Sequence, residues 1–124
     1  MNAVVSTITQ LLPAEIITTD PEQITLYSQD VFTVGPPICA VVRPRNIDEV
    51  QALVRACLER GTPIVTRGGG MSYTSGYIAS APDSVLIDMA SMDAIVEVNL
   101  EDRYVTVEAG CSWQKLYEHL APLG

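Results

Sequence analysis

The chain has 124 residues, 48% of them apolar, with a mean hydropathy of +0.23, enough for one globular domain with a proper core and against a disordered chain. Fifteen acidic residues stand against seven Lys and Arg, a formal net charge of −8, with no basic cluster or interleaved aromatic patch, so nucleic acid is not an expected partner. No run reaches the roughly 20 apolar residues that span a bilayer, and residues 1–12 lack the basic region and unbroken apolar core of a signal peptide, which makes a cytoplasmic location the expectation.

Val4, Val5, Ile8, Leu11 and Leu12 recur at helical spacing before Pro13, predicting a short helix that the proline stops. Asp20, with Pro21 at the first helical position and Gln23 three residues after the cap, predicts a second short helix through about Tyr27. Both helices are expected to pack on the outside of the domain formed by the rest of the chain, so residues 1–35 read as a helical leader. Ile38-Cys39-Ala40-Val41-Val42, bounded by Pro37 and by Arg43-Pro44, is a continuous apolar run that fits a strand covered on both faces, as in parallel sheets. Asn46 as cap with Glu49 three residues on, then Ile47, Val50, Leu53, Val54, Cys57 and Leu58 on one face and Gly61 as terminator, predict an amphipathic helix from about 47 to 60. Residues 63–66 resume a strand and complete a β-α-β unit.

That second strand runs directly into Arg67-Gly68-Gly69-Gly70-Met71-Ser72-Tyr73-Thr74-Ser75-Gly76. Without Cβ atoms, Gly68, Gly69 and Gly70 can present successive N–H groups toward one point, a concavity suited to phosphate oxygens. Arg67 and Ser72 add a cation and a hydroxyl at its two ends. No Asp or Glu lies between Glu59 and Asp83, so an anion docking here is expected to meet only amides, hydroxyls and Arg67, as burial of a pyrophosphate requires. A glycine-rich loop can be merely a tight turn, but the small polar run through Gly76 exceeds what a turn needs. After the loop, Val85-Leu86-Ile87-Asp88-Met89 predicts a third strand, and residues 95–99 and 104–109 an antiparallel hairpin. Ser112 then caps a last helix whose apolar face is Trp113, Leu116, Tyr117 and Leu120.

Two nucleotide-binding motifs fit poorly. A P-loop needs Lys after its final glycine, where this chain has Met71. The Rossmann fingerprint has its first two glycines in Gly68 and Gly70, but Tyr73 replaces the third, and residues 72–84 have no helical pattern to aim a dipole at the phosphate. Asp88 is then better read as a structural or capping carboxylate than as a ribose ligand.

The chain resembles the N-terminal part of the vanillyl-alcohol-oxidase-type (PCMH) FAD-binding domain. The resemblance is carried by Val42-Arg43-Pro44 with Asn46-Ile47-Asp48-Glu49-Val50, by residues 63–72, by Val85-Leu86-Ile87-Asp88-Met89 and by Val105-Thr106-Val107-Glu108-Ala109-Gly110, in matching order and spacing from about Ile38 to Gly124. Tyr27-Ser28-Gln29-Asp30 is similar to the region ahead of the flavin domain in the glycolate oxidase and D-lactate dehydrogenase branch. The expected architecture is α/β (α+β): a small parallel β-α-β sheet unit with a helical leader, an antiparallel hairpin and a C-terminal helix, with residues 36–124 forming a truncated PCMH-type domain.

The resemblance implies that Arg67, Gly68, Gly69, Gly70, Met71, Ser72 and Gly76 lie along the FAD pyrophosphate, with Pro44 near the adenine. Arg67 can equally contact the anion or brace the loop by bonding its carbonyls. Family members with covalent flavin often carry histidine where this chain has Met71, whose thioether cannot form that stable linkage, so FAD is expected to be noncovalent at this site. The second half of the domain and the substrate domain are absent from the sequence, so the chain reads as the FAD-binding portion of an oxidoreductase acting on a 2-hydroxy acid such as glycolate or D-lactate. The alternative is a noncatalytic module that dimerises, or binds a partner subunit, through an exposed sheet edge. No catalytic residue is assigned. His119, the only histidine, reads as a surface residue; Cys39, Cys57 and Cys111 read as buried thiols, and no metal ligand set is expected.

Overall fold

A computed structural model describes residues 2–124; Met1, the first residue of the predicted leader, lies outside them. Helix α1 (Ala3–Leu11) is opened by Asn2, whose side chain accepts from the Val4 N–H, and ends before Pro13. Next along the chain come strand β1 (Ile17–Thr18), helix α2 (Pro21–Tyr27), strand β2 (Ala40–Val42), helix α3 (Ile47–Glu59), strand β3 (Ile64–Arg67) and strand β4 (Val85–Asp88). The remaining elements are the hairpin β5 (Ile95–Asn99) and β6 (Tyr104–Val107) and helix α4 (Trp113–Leu120). The fold is α/β, with the predicted strands and caps in place: Asp20 accepts from the Glu22 and Gln23 N–H groups, Asn46 from Glu49, and Ser112 from Lys115.

The main sheet has the order β1-β2-β4-β3. Strands β2 and β3 of the β-α-β unit are therefore not neighbours: β4 lies between them, parallel to both, and β1 adds an antiparallel edge that no periodicity announced. Alternation across β2 and β4 builds two cores. Ala40, Val42, Val85 and Ile87 face α1 and α3, meeting Val4, Val5, Ile8, Leu53, Ala56 and Cys57. Val41 and Leu86 face the other way, toward Ile38, Ala79, Ile24, Tyr27 and Val65. Both faces are covered, which is why these strands are uninterrupted apolar runs. Residues 2–35 do not simply lie outside: α1 and Ile16 contribute to the first core.

Three burial expectations are corrected. Ile47 and Leu58 are exposed, because α3 meets the sheet through Leu53, Ala56 and Cys57, leaving those two on a flank. On α4 only Leu116 is buried; Trp113 and Tyr117 face solvent because no element among the described residues covers that side of the helix. Of the cysteines only Cys57 is buried; Cys39, just before β2, packs at the rim of the first core and Cys111 follows the hairpin outside both cores, so these two are half-buried.

The hairpin joins the sheet through residues 89–94 and 108–111. The Gly110 N–H donates to the Met92 carbonyl (2.8 Å) and the Glu108 N–H to the Ala94 carbonyl (2.9 Å). A Cβ on Gly110 would run into the Met89 carbonyl, so glycine is required for this close approach.

Candidate functional site

Strands β2, β3 and β4 are parallel and end together, so Arg43, Arg67 and Asp88 emerge at one edge of the sheet, the carboxyl end where open α/β sheets hold ligands. Asp88 is fully buried and organises this edge. Its Oδ2 accepts from Arg43 Nη2 (2.7 Å) and Nε (3.0 Å) and from the Tyr27 hydroxyl (3.0 Å), while Oδ1 accepts from the Ala90 N–H and caps the short 3₁₀ turn Met89–Ser91. Asp88 is thus a structural and capping carboxylate. Hydrogen bonding to Asp88 raises the Arg43 pKa above its ordinary range.

Arg67 lies behind the glycine loop. Its guanidinium sits over the rings of Tyr27 (4.9 Å) and Tyr77 (5.5 Å), with Nη1 3.9 Å from Asp88 Oδ2, and a Cβ on Gly70 would collide with it. Gly70 has φ +72°, where glycine is favoured for its backbone as well. Among the described residues Arg67 makes no hydrogen bond to a loop carbonyl; the Tyr77 hydroxyl does, donating to Gly70 O (2.9 Å). Arg67 therefore supports the loop by packing beneath it.

The loop divides into two halves. Within the described residues, no protein acceptor takes the backbone N–H of Gly69, Gly70, Met71, Ser72 or Tyr73. Gly69 is exposed, with nothing within 4 Å of a built Cβ. From Ser72 onward the chain satisfies itself: Ser72 Oγ accepts from the N–H groups of Gly76 (2.9 Å) and Thr74 (3.3 Å), which turns the chain at Gly76. Unpaired amides at the end of a parallel strand can donate to an anion's oxygens. The described residues contain no cluster of His, Cys, Asp and Glu able to hold a metal, and His119 is exposed. Burial, with Asp83 nearby, pushes the Cys39 thiol up to about 11.

One electrostatic expectation changes. The loop is not free of carboxylates in space, because Asp30 Oδ2 accepts from the Ser75 N–H (3.1 Å) and Asp88 stands behind Arg67. Asp30 also takes the Phe32 and Thr33 N–H groups, and these amides, Phe32 first, hold its pKa below the ordinary carboxylate range. Tyr77 and the roles of Tyr27 and Asp30 were missed by sequence reasoning. The last two lie in the leader segment that resembles the glycolate oxidase branch; nothing in the sequence marks Tyr77.

A family model described as an FAD binding domain matches residues 38–124. The chain belongs to the PCMH-type FAD-binding domain family. This FAD-binding chain is 37% identical over 84 residues to the mitochondrial D-lactate dehydrogenase [cytochrome] of Arabidopsis thaliana, covering 68% of this chain and 15% of that protein. It is 35% identical over 71 residues to glycolate oxidase subunit GlcD of Bacillus subtilis, covering 57% of this chain and 15% of that one. The chain thus spans about 15% of the length of these curated relatives. Among solved structures, p-cresol methylhydroxylase with substrate bound superimposes with a TM-score of 0.82 at 22% identity, over 97% of this chain and 24% of that one. The 4-ethylphenol oxidase of Gulosibacter chungangensis gives 0.84 at 24%, over 98% and 24%. These two share the fold. No helix of the described residues is long and apolar enough to cross a membrane.

Proposed function

We propose that residues 68–72 hold the pyrophosphate of noncovalently bound FAD, with Gly76 turning the chain away and Arg67 supporting the loop from behind, and that the chain is the FAD-binding portion of an oxidoreductase acting on a 2-hydroxy acid. The observation that carries the cofactor reading is the row of unpaired amides at residues 69–73, on a glycine-rich strand end of an FAD-binding family member. Relatives named for D-lactate, glycolate and 2-hydroxyglutarate support the substrate class. Bound flavin would supply a two-electron acceptor; the chain's own residues bind and orient it, and none is assigned as the base. Residues 36–124 form the first part of the flavin domain in this reading, and residues 1–35 its leader. Met71 is exposed and its thioether forms no stable bond to flavin, so acid precipitation should release all the flavin; yellow colour kept in the pellet would refute noncovalent binding. A cytoplasmic location belongs to the same reading and is checked by fractionation, since relatives include mitochondrial proteins.

The test is a titration with FAD and with ADP, read by flavin fluorescence and calorimetry, on the natural chain and on Gly69→Asp. Space around Gly69 is open, so the variant adds charge without a clash. Two like charges 4 Å apart cost ~1 to 4 kcal/mol between bulk water and a protein surface, so FAD affinity should fall about tenfold or more. Equal affinity in the variant would move the pyrophosphate off this loop.

A second reading, a noncatalytic module that pairs with another chain, is favoured by exposed Trp113 and Tyr117 and by β3 at the sheet edge. Size-exclusion chromatography decides it: a monomer at high concentration counts against it.

A further inference from the structure

We propose that Asp30 is a positioning residue for the flavin loop, through a clamp in which the turn at residues 30–34 holds the far half of that loop in place; this rests on the flavin reading above. The two oxygens of Asp30 do different work. Oδ1 accepts from the Phe32 and Thr33 N–H groups and closes the turn on itself, helped by the Asp30 N–H donating to Thr33 O (2.9 Å). Oδ2 reaches across 45 residues to the Ser75 N–H (3.1 Å), and the Ser75 hydroxyl donates to Thr33 Oγ1 (3.3 Å).

The base of the clamp is fixed in the core. Buried Ser28 donates its hydroxyl to Ile24 O (2.7 Å), accepts the Ile38 N–H on Oγ (3.2 Å) and takes the Gly35 N–H on its carbonyl (2.9 Å). What it holds needs holding. Ser75 has φ +58°, a left-handed conformation that costs a non-glycine residue energy and persists only when its surroundings impose it. Ser75 also lies between the two amides, Thr74 and Gly76, that Ser72 Oγ accepts from, so its position sets the course of the chain entering at Ser72. With three N–H donors on it, the carboxylate sits beside an anion-binding loop with its charge largely answered. The leader therefore shapes the flavin site.

Asp30→Asn separates these roles, because the remaining oxygen still accepts from Phe32 and Thr33 while the new amide group meets the Ser75 N–H donor to donor. Hydrogen exchange on the flavin-free chain should show the Ser75 amide exchanging about tenfold faster, the scale set by a hydrogen bond to a charged group, with β4 amides and the melting temperature unchanged. FAD affinity should fall by a similar factor. Unchanged Ser75 exchange overturns the clamp, and faster exchange with unchanged FAD affinity overturns the positioning role. If the natural chain binds no FAD, the flavin reading fails, and with it the positioning of flavin, while exchange still judges the clamp. Should Asp30→Asn unfold the chain, Thr33→Val removes only the hydroxyl tie: about twofold faster exchange confined to residues 74–76 supports the clamp, and no change overturns it.

Discussion

The sheet unit and the hairpin with α4 follow the same secondary-structure rules, yet they bury their apolar residues to very different extents. In the sheet unit, α1, β2, α3 and β4 seal Val4, Ile8, Val42, Leu53 and Val85 almost completely. In the second region Val96, Leu100, Trp113, Tyr117 and Leu123 are all exposed, and of α4 only Leu116 is buried. Periodicity makes a face; only a facing element turns it into a core. The sheet unit therefore carries the stability of this chain, and the glycine loop leaves it from β3, its half-buried edge strand.

The largest effect that sharpens this contrast is Leu53→Ala. It empties a fully buried position between α3 and the sheet and should cost about 2–5 kcal/mol by denaturant unfolding. Trp113→Ala should stay within about 0.5 kcal/mol although it deletes a larger side chain, because 86% of Trp113 is already exposed. A loss above about 2 kcal/mol for the tryptophan would break the comparison by showing that α4 packs onto a core in solution. Next comes the joint between the regions. Gly110→Ala sets a Cβ against the Met89 carbonyl and 2.7 Å from the Met92 carbonyl oxygen, so backbone must move, at about 1–3 kcal/mol. Its hydrogen-exchange signature should be faster exchange at Gly110 and Glu108 with β2 and β4 unaffected.

How much of this was legible depends on how local each signal is. Asp20, Asn46 and Ser112 are recognisable as caps because cap and N–H donor lie within three residues, and the structure has all three accepting as expected. The glycine run is equally local, and the strands β2 and β4 are announced by their apolar runs. The insertion of β4 between β2 and β3 is a lateral fact that chain order does not carry, and β1, two residues long, has no period at all. Asp30 meets Ser75 across 45 residues and Tyr27 meets Asp88 across 61. Such pairs are invisible to spacing, so the loop's amides were readable and its supports were not. The exposed face of α4 is the converse case: spacing grouped Trp113 with Tyr117 correctly, but nothing in it says whether a partner exists.

The smallest effect concerns the N-terminus of α3, where the cap is readable in sequence but its partner is not. The Glu49 N–H donates to Asn46 Oδ1 (2.9 Å), but the returning carboxylate bonds the Arg45 N–H (2.7 Å) rather than that of the cap residue, and also takes Arg45 Nη2 (2.7 Å). Arg45 in turn reaches Glu15 (3.2 Å), tying the leader to the helix. The Arg45 side chain above all, then its backbone N–H, holds the Glu49 pKa below the ordinary value. A carboxylate with a lowered folded pKa adds stability that is present above its unfolded pKa, about 4.3, and is lost as pH falls through the folded one. Glu49→Gln should remove this contribution at neutral pH, on the order of a few tenths of a kcal/mol as for other surface ion pairs, and flatten the unfolding free energy below about pH 4.3. Salt should shrink the difference between the two proteins by screening. A variant whose acid-side slope equals that of the natural chain would show that the capping carboxylate gains nothing from Arg45 in solution, leaving the Asn46 cap to start α3 alone.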